Sequence, residues 1–479
     1  MLFPTFSFAL FFAVVFPVCW GLERRSLAWR LFVLAVSYVF YGAFDWGKSY
    51  VGLQYSLLLA VSTLVNAALA RLMHRLGPGR PARRLVLGIG LCFNLGILVW
   101  FKYALFLAQT GNDLFRLLDL STRLPLVKLA LPVGISFFTF QAISYLVDVH
   151  RGLPPVATLD FAVYLAFFPH VVAGPIVRAA EFVPQLGRRL RLAPSEASRA
   201  AWLIGGGLFK KVVISSYLAG ALVDPVFGAP ERFSALEILA AVYGYAVQIY
   251  ADFSGYTDMA IGLALLLGIR FPQNFDRPYA AASIQDFWRR WHMTLSRWLR
   301  DYLYIPLGGS RAGSARTQVN LLITMALGGL WHGASLTFLA WGLWQGLGLV
   351  VERRLGWPKA VRGPWAEVLG RLVTFHFICA GWILFRAQGP GLDGFRLAGS
   401  LLRGLALSWV APPASVWGPL LVAAGMLLWQ QLPARGLQPL QRAYSRLPLP
   451  LQGLALGLFL FLCLMLGPRG VAPFIYFQF

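Results

Sequence analysis

Residues 320–346 read NLLITMALGGLWHGASLTFLAWGLWQG. The stretch contains no Asp, Glu, Lys or Arg and one histidine, His332, set among Gly328, Gly329 and Gly333. With its flanks it extends over 319–350, more than the about 20 residues of a single membrane helix. Arg316 before it and Arg353 and Arg354 after it place both ends on one side of a membrane. The segment therefore reads as two passes, each too short to cross comfortably, with His332 near the turn and within the membrane. Ionisable groups there are costly and mark function, and a neutral imidazole is a general base near pH 7. The plainer reading is a core histidine. The neighbouring glycines remove side-chain bulk and permit close approach of a substrate or of backbone.

The composition sets the context for this stretch. Of 479 residues, 58% are hydrophobic and 13% charged, against about 25% charged in soluble chains. Mean hydropathy is +0.65. A soluble fold of this length cannot hide that much apolar surface, so the chain is an all-α polytopic membrane protein. Disorder is excluded on the same grounds. Cys19, Cys92, Cys379 and Cys463 lie far apart in apolar runs without metal-ligand spacing and read as small buried hydrophobes.

The net charge of +23 would suggest nucleic acid in a soluble protein. Here the basic residues fix orientation. Spans fall near 2–22, 26–46, 51–70, 85–107, 129–149, 201–223, 366–386, 415–432 and 451–468. Arg24, Arg25 and Arg30 follow the first span, and Arg71, Arg75, Arg80, Arg83 and Arg84 follow the third. Both loops are then cytoplasmic, and both chain ends fall outside. Lys102, Lys210 and Lys211 lie within spans. Segment 161–177 starts and ends inside, and Pro169, Gly174 and Pro175 break it, so it reads as re-entrant. As one helix, 235–269 would far exceed a core of about 30 Å. The polar stretch Asp252 to Asp258 is expected to break it. No nucleic-acid partner is needed.

Residues 283–300 read SIQDFWRRWHMTLSRWLR. Ser283 and Asp286 form a possible capping box. Ile284, Phe287, Trp288, Trp291, Leu295, Trp298 and Leu299 share one helical face, with Arg289, Arg290, Arg297 and Arg300 opposite. This pattern predicts one amphipathic helix in the cytoplasmic interface. Its arginines either anchor it or receive a phosphate-bearing donor. His292 falls at the edge of the apolar face. His170, in the broken segment, is placed to line a cavity. His376 reads as packing. No histidine pair has helical metal-site spacing, and there is no phosphate-binding loop, dinucleotide fingerprint or nucleophile elbow.

Four ordered motifs then carry a resemblance: Phe167 to Arg178, Gln248 to Tyr279, Asp286 to Gly309, and Asn320 to Gly346. The chain resembles the membrane-bound O-acyltransferase (MBOAT) family, in its bacterial alginate O-acetylase branch. The resemblance implies one integral membrane domain over 1–479. Its fold would be a ring of tilted transmembrane helices with re-entrant segments and a thin centre. The family's invariant histidine matches His332, and a second histidine of the bacterial branch matches His292. Asn274, Asp252 and Trp331 within the motifs join the four arginines as candidate donor- or substrate-binding residues. No cofactor or metal is implied. Acetyl-CoA is the implied donor substrate.

The chain ends PFIYFQF over 473–479. On composition this is an interfacial aromatic belt. It also resembles the terminal Phe-x-Tyr-Phe motif of the acetylase branch, which nominates Tyr476 as acyl carrier. The implied function is O-acetylation of a cell-surface polysaccharide such as alginate, cellulose or peptidoglycan, across a bacterial cytoplasmic (inner) membrane. An extracytoplasmic SGNH-type transferase is the implied partner. Direct transfer to a polymer hydroxyl, transport of acyl groups, lipids or glycans, and a scaffold for a polymer synthase are the alternatives.

Overall fold

The computed structural model describes residues 3–23, 26–43, 51–189, 191–311, 313–357, 363–407, 409–433, 438–467 and 474–475. Among them every regular element is helical. In chain order, α1 is Phe6–Gly21, α2 Leu27–Gly42, α3 Val51–Leu76 and α4 Pro81–Leu98. A π-helical turn at Val99–Tyr103 leads into α5, Ala104–Leu117. Then come α6 Ile135–His150, α7 Thr158–Ala166, α8 Ala179–Leu186 and α9 Pro194–Leu208. Two π-helical turns, Phe209–Ser215 and Ala219–Val223, flank the short α10 Ser216–Leu218 and lead to α11 Asp224–Gly228. The rest are α12 Ala235–Leu266, α13 Ile284–Arg290, α14 Met293–Leu299, α15 Ser314–His332, α16 Leu336–Arg354, α17 Pro364–Arg386, α18 Asp393–Ala406, α19 Ala414–Gln431, α20 Gln438–Arg446 and α21 Leu449–Leu466. Helical stretches 52–76, 81–117, 194–228, 364–386 and 449–466 are long and apolar enough to cross a membrane.

The chain forms two compact units. The first comprises Met1–Ala104, Val127–Gly205 and Tyr256–Pro272; the second comprises Leu105–Leu126, Gly206–Gly255 and Gln273–Phe479.

In the first unit, α7 stops at Ala166 and α8 starts at Ala179, so the chain between them is non-helical, as its prolines and Gly174 predict. It is almost wholly buried, the condition under which irregular backbone is tolerated in a membrane. Some of its polar groups find partners inside. Phe168 N donates to Ser37 Oγ at 3.2 Å, and Tyr164 Oη donates to the Val177 carbonyl at 2.9 Å. His170 is buried against neighbouring side chains. Its Nε2 lies 2.7 Å from the Tyr164 carbonyl, and Phe167, Phe182 and Phe271 enclose the ring. Cys92 also departs from expectation, since it is exposed while the other three cysteines are buried.

Helix α12 crosses the polar stretch 252–258 without a break. At 32 residues it is about 48 Å long, so it must tilt or project beyond a core of about 30 Å. The polar residues mark close packing. A Cβ at Gly255 would sit 2.6 Å from the Gly207 carbonyl oxygen, and Lys210 Nζ donates to Ser254 Oγ at 3.1 Å. Nothing in the stretch removes a backbone donor, so tertiary partners satisfy the side chains while the helical ladder continues.

The 319–350 segment is a helical hairpin, α15 and α16, joined at Gly333–Ser335. Each arm has 19 residues, about 28 Å, and so is longer than the two short passes predicted. The helices begin earlier and end later than the apolar run. Glycines set the contact between the arms. A Cβ at Gly329 would lie 2.2 Å from the Phe338 carbonyl oxygen, and one at Gly342 2.3 Å from that of Met325. Gly342→Val should therefore lower stability by about 1–3 kcal/mol, read as a fall in melting temperature in detergent. Gly425→Ala, with nothing within 4 Å of its Cβ position, should leave it unchanged or slightly higher.

Candidate active site

The site lies in the second unit. Residues 283–300 form two helices, α13 and α14, in place of the single helix predicted. The apolar face is buried as the spacing requires except at Trp288, which is half-buried, and Arg289 and Arg300 are exposed. The break falls at His292, which adopts φ +40°, a left-handed conformation that costs a non-glycine residue about 1–2 kcal/mol. Its cause is the loop at 274–276. Met293 N donates to the Asn274 carbonyl at 2.9 Å, and Asp276 N donates to the Arg290 carbonyl at 2.9 Å. The loop thus takes backbone groups that a continuous helix would pair internally. Ser283 Oγ caps α13 by accepting from Asp286 N at 3.0 Å, whereas the Asp286 carboxylate turns to Arg290 at 2.9 Å. Glu352 at the end of α16 accepts from the first backbone N–H groups of α13.

Asn274 organises the buried side of this break. Its Oδ1 accepts from Thr294 N at 3.1 Å and Thr294 Oγ1 at 2.9 Å, and lies 3.2 Å from His292 Nδ1. The backbone N–H fixes which end of the amide is oxygen. Nδ1 of His292 must then donate, which leaves Nε2 as the ring's acceptor. That Nε2 is buried and has no hydrogen-bond partner among the described residues. A sequestered imidazole lone pair of this kind can accept a proton from a bound group. Asn274→Ala should cost about 2–3 kcal/mol, measurable as a lower melting temperature, with loss of activity beyond that.

His332 ends α15 and is almost completely buried. Trp331, Trp341 and Phe385 enclose its ring at 5.0, 5.1 and 5.2 Å between centroids. The glycines around it serve the protein's own packing: a Cβ at Gly333 would meet the Phe338 ring at 2.0 Å. Trp331 lies 5.8 Å from His292 and so is a neighbour of both histidines. Trp288 of α13 lies 5.8 Å from Trp341, which joins the arginine-bearing helix to the wall of the His332 pocket. His292 in turn packs edge-on against Phe253 at 4.6 Å, and Phe253 lies 5.9 Å from Phe474 near the chain end.

The structure thus brings together His332, His292, Asn274 and Trp331. Arg290 and Arg300 are partly engaged by Asp286 and Asp301. Asp252 faces inward and forms a buried ion pair with Lys211. Lys210 and Lys211, expected within a span, are both buried. Two adjacent lysines in an apolar run were a signal, because a buried cation requires a partner. Tyr476 lies outside the described residues. Among the described residues no group of three or more His, Cys, Asp or Glu could hold a metal ion.

The MBOAT, membrane-bound O-acyltransferase, family model matches residues 150–356. The chain is 40% identical over 390 residues to the probable alginate O-acetylase AlgI of Pseudomonas aeruginosa, covering 80% of this chain and 72% of that one. It is 36% identical over 396 residues to the peptidoglycan O-acetyltransferase of Helicobacter pylori, covering 76% and 72%. A teichoic acid D-alanyltransferase of Bacillus subtilis is 27% identical over 287 residues, covering 53% and 69%. The family model's match includes the segments that carry His292, Asn274 and His332. The chain belongs to the membrane-bound O-acyltransferase family and is an O-acyltransferase.

Proposed function

We propose that this O-acyltransferase takes an acetyl group from cytoplasmic acetyl-CoA and passes it, through Tyr476, to an extracytoplasmic partner that O-acetylates a cell-surface polysaccharide. The whole chain acts as one integral membrane domain, in a bacterial cytoplasmic membrane. The reading rests on one arrangement above all. Ring contacts run from His332 through Trp331 to His292, and on through Phe253 to Phe474, two residues before Tyr476. Relatives named for O-acetylation of alginate and of peptidoglycan support the acetyl group and the polysaccharide class.

In this mechanism the arginines of α13 and α14 and Arg300 just after them, with Arg289 and Arg300 exposed, attract the donor's phosphates from the cytoplasmic side. The Tyr476 hydroxyl attacks the thioester carbonyl carbon. His332 accepts the phenolic proton as the C–O bond forms, and returns it to the departing thiolate as the C–S bond breaks. His292 assists through Nε2. The products are acetyl-Tyr476 and free CoA. The partner, a serine transferase of SGNH type, then takes the acetyl group and restores the phenol. Asp252 serves as a structural group and does not touch the donor.

Purified protein in liposomes tests this reading with labelled acetyl-CoA. Release of free CoA, with the acetyl label retained on protein, is the expected result. Movement of intact acetyl-CoA or of acyl groups across the bilayer without thioester cleavage would contradict it.

A further inference from the structure

Asp252 carries an arrangement that the chemistry above does not use. It is 2% exposed, on α12, in a chain that crosses a membrane. Oδ1 accepts from Lys211 Nζ and, at 3.2 Å, from Ser215 Oγ. Both partners come from the π-helical turn Phe209–Ser215. Such turns recur at functional sites because the extra residue redirects side chains. Oδ2 points elsewhere and accepts the backbone N–H of Ile475 at 2.9 Å. Lys211 Nζ lies 5.9 Å from the ring centroid of Phe474, which also packs against Phe253. Upstream, a Cβ at Gly467 would meet Val212 at 2.7 Å, so the chain leaving α21 already runs against the same turn.

An ion pair buried in this way is poor value as a fold stabiliser, since apolar residues of similar size do as well or better. Its carboxylate does what an apolar residue cannot, because it receives a main-chain donor from the chain end. A hydrogen bond to a backbone N–H fixes the position of Ile475 whatever its side chain is. The residue after Ile475 is Tyr476. We infer that the Lys211–Asp252 pair is a docking post for the C-terminal tail, holding Ile475, the residue before the proposed carrier Tyr476, by its backbone N–H. Lys211 orients the carboxylate, Ser215 steadies it, and Asp252 is a positioning residue, not a catalytic one. This rests on the proposed role of Tyr476.

The experiment uses the full chain in nanodiscs with two readouts: hydrogen–deuterium exchange of the C-terminal peptide, and acetyl transfer from acetyl-CoA. The double variant Lys211→Asp with Asp252→Lys preserves an ion pair but places a donor-only ammonium where Ile475 needs an acceptor. Ile475→Pro leaves the pair intact and deletes the N–H itself. Both variants should exchange the tail amides about tenfold faster or more, the size expected for one hydrogen bond to a charged acceptor. Both should also lose about tenfold or more in kcat, with KM for acetyl-CoA unchanged. If the double variant does not fold, Ile475→Pro carries the test. Wild-type exchange and kcat in Ile475→Pro would overturn the inference. So would a fall in kcat with tail exchange unmoved, because the pair would then act on the fold alone. Failure of the relay reads differently: Tyr476→Phe would keep full transfer while tail exchange in the docking variants still rose.

Discussion

His332→Ala should reduce CoA release from acetyl-CoA by about 10²–10⁴-fold, the range for removing a positioned general base. The need for a base is severe with a phenol nucleophile. At a pKa near 10, about one tyrosine in a thousand is ionised at pH 7, so unassisted attack starts from a small population. The imidazole sits in a box of Trp331, Trp341 and Phe385, which keeps bulk water from substituting for it. Removal of the ring leaves a cavity between those aromatic groups and costs some stability. The comparison therefore needs a folding control, for which monodisperse elution and retained thermal unfolding suffice. Loss of rate in a folded variant is the expected outcome. A rate within threefold of wild type would place the reaction centre elsewhere.

Tyr476→Phe should abolish acetyl transfer to the polysaccharide while leaving the protein folded. The substitution deletes one oxygen and keeps the ring, so any anchoring of the tail at the membrane interface survives. This makes the variant discriminating. An aromatic-belt role predicts normal polysaccharide acetylation with phenylalanine at this position, whereas a carrier role predicts none, because the atom that holds the acyl group is gone. The measurement is ester-linked acetate on surface polysaccharide in cells expressing each form at equal level. Phe474 and Ile475 stay identical in both chains, so docking on Asp252 is not disturbed.

Much of the architecture is legible in the sequence wherever the chain itself supplies the physics. The chain between α7 and α8 stays non-helical around Pro169 and Pro175 because proline has no backbone donor, whatever surrounds it. The apolar face of 283–300 is buried because its spacing is helical. The hairpin at 319–350 and the position of His332 at its turn follow from apolar length and flanking charge. Other features depend on residues far away in the chain. Helix α12 runs on through Asp252 to Asp258 because Lys210 and Lys211, more than forty positions earlier, receive its polar groups. Periodicity alone counts those groups as breaks. The helix at 283–300 is broken because Asn274 inserts hydrogen bonds at Met293 and Thr294, and no local pattern around His292 announces it. Asp252 reads in the sequence as a candidate binding residue, and its hydrogen bond from Ile475 N is not legible there. Its partner Ile475 contributes a backbone N–H, which any residue but proline would offer. The glycines beside His332 were ambiguous between substrate access and close packing, and Phe338 occupies the space at Gly333.

The central claim is a covalent acetyl-tyrosine formed under the control of His332. The most direct test is mass spectrometry of the C-terminal peptide after incubation of the purified full chain with acetyl-CoA. The account predicts one acetyl group on Tyr476 in the wild type, absent in His332→Ala and discharged when an acceptor transferase is added. Steady CoA release and full acetyl transfer, with the peptide unmodified at every time point, would contradict it.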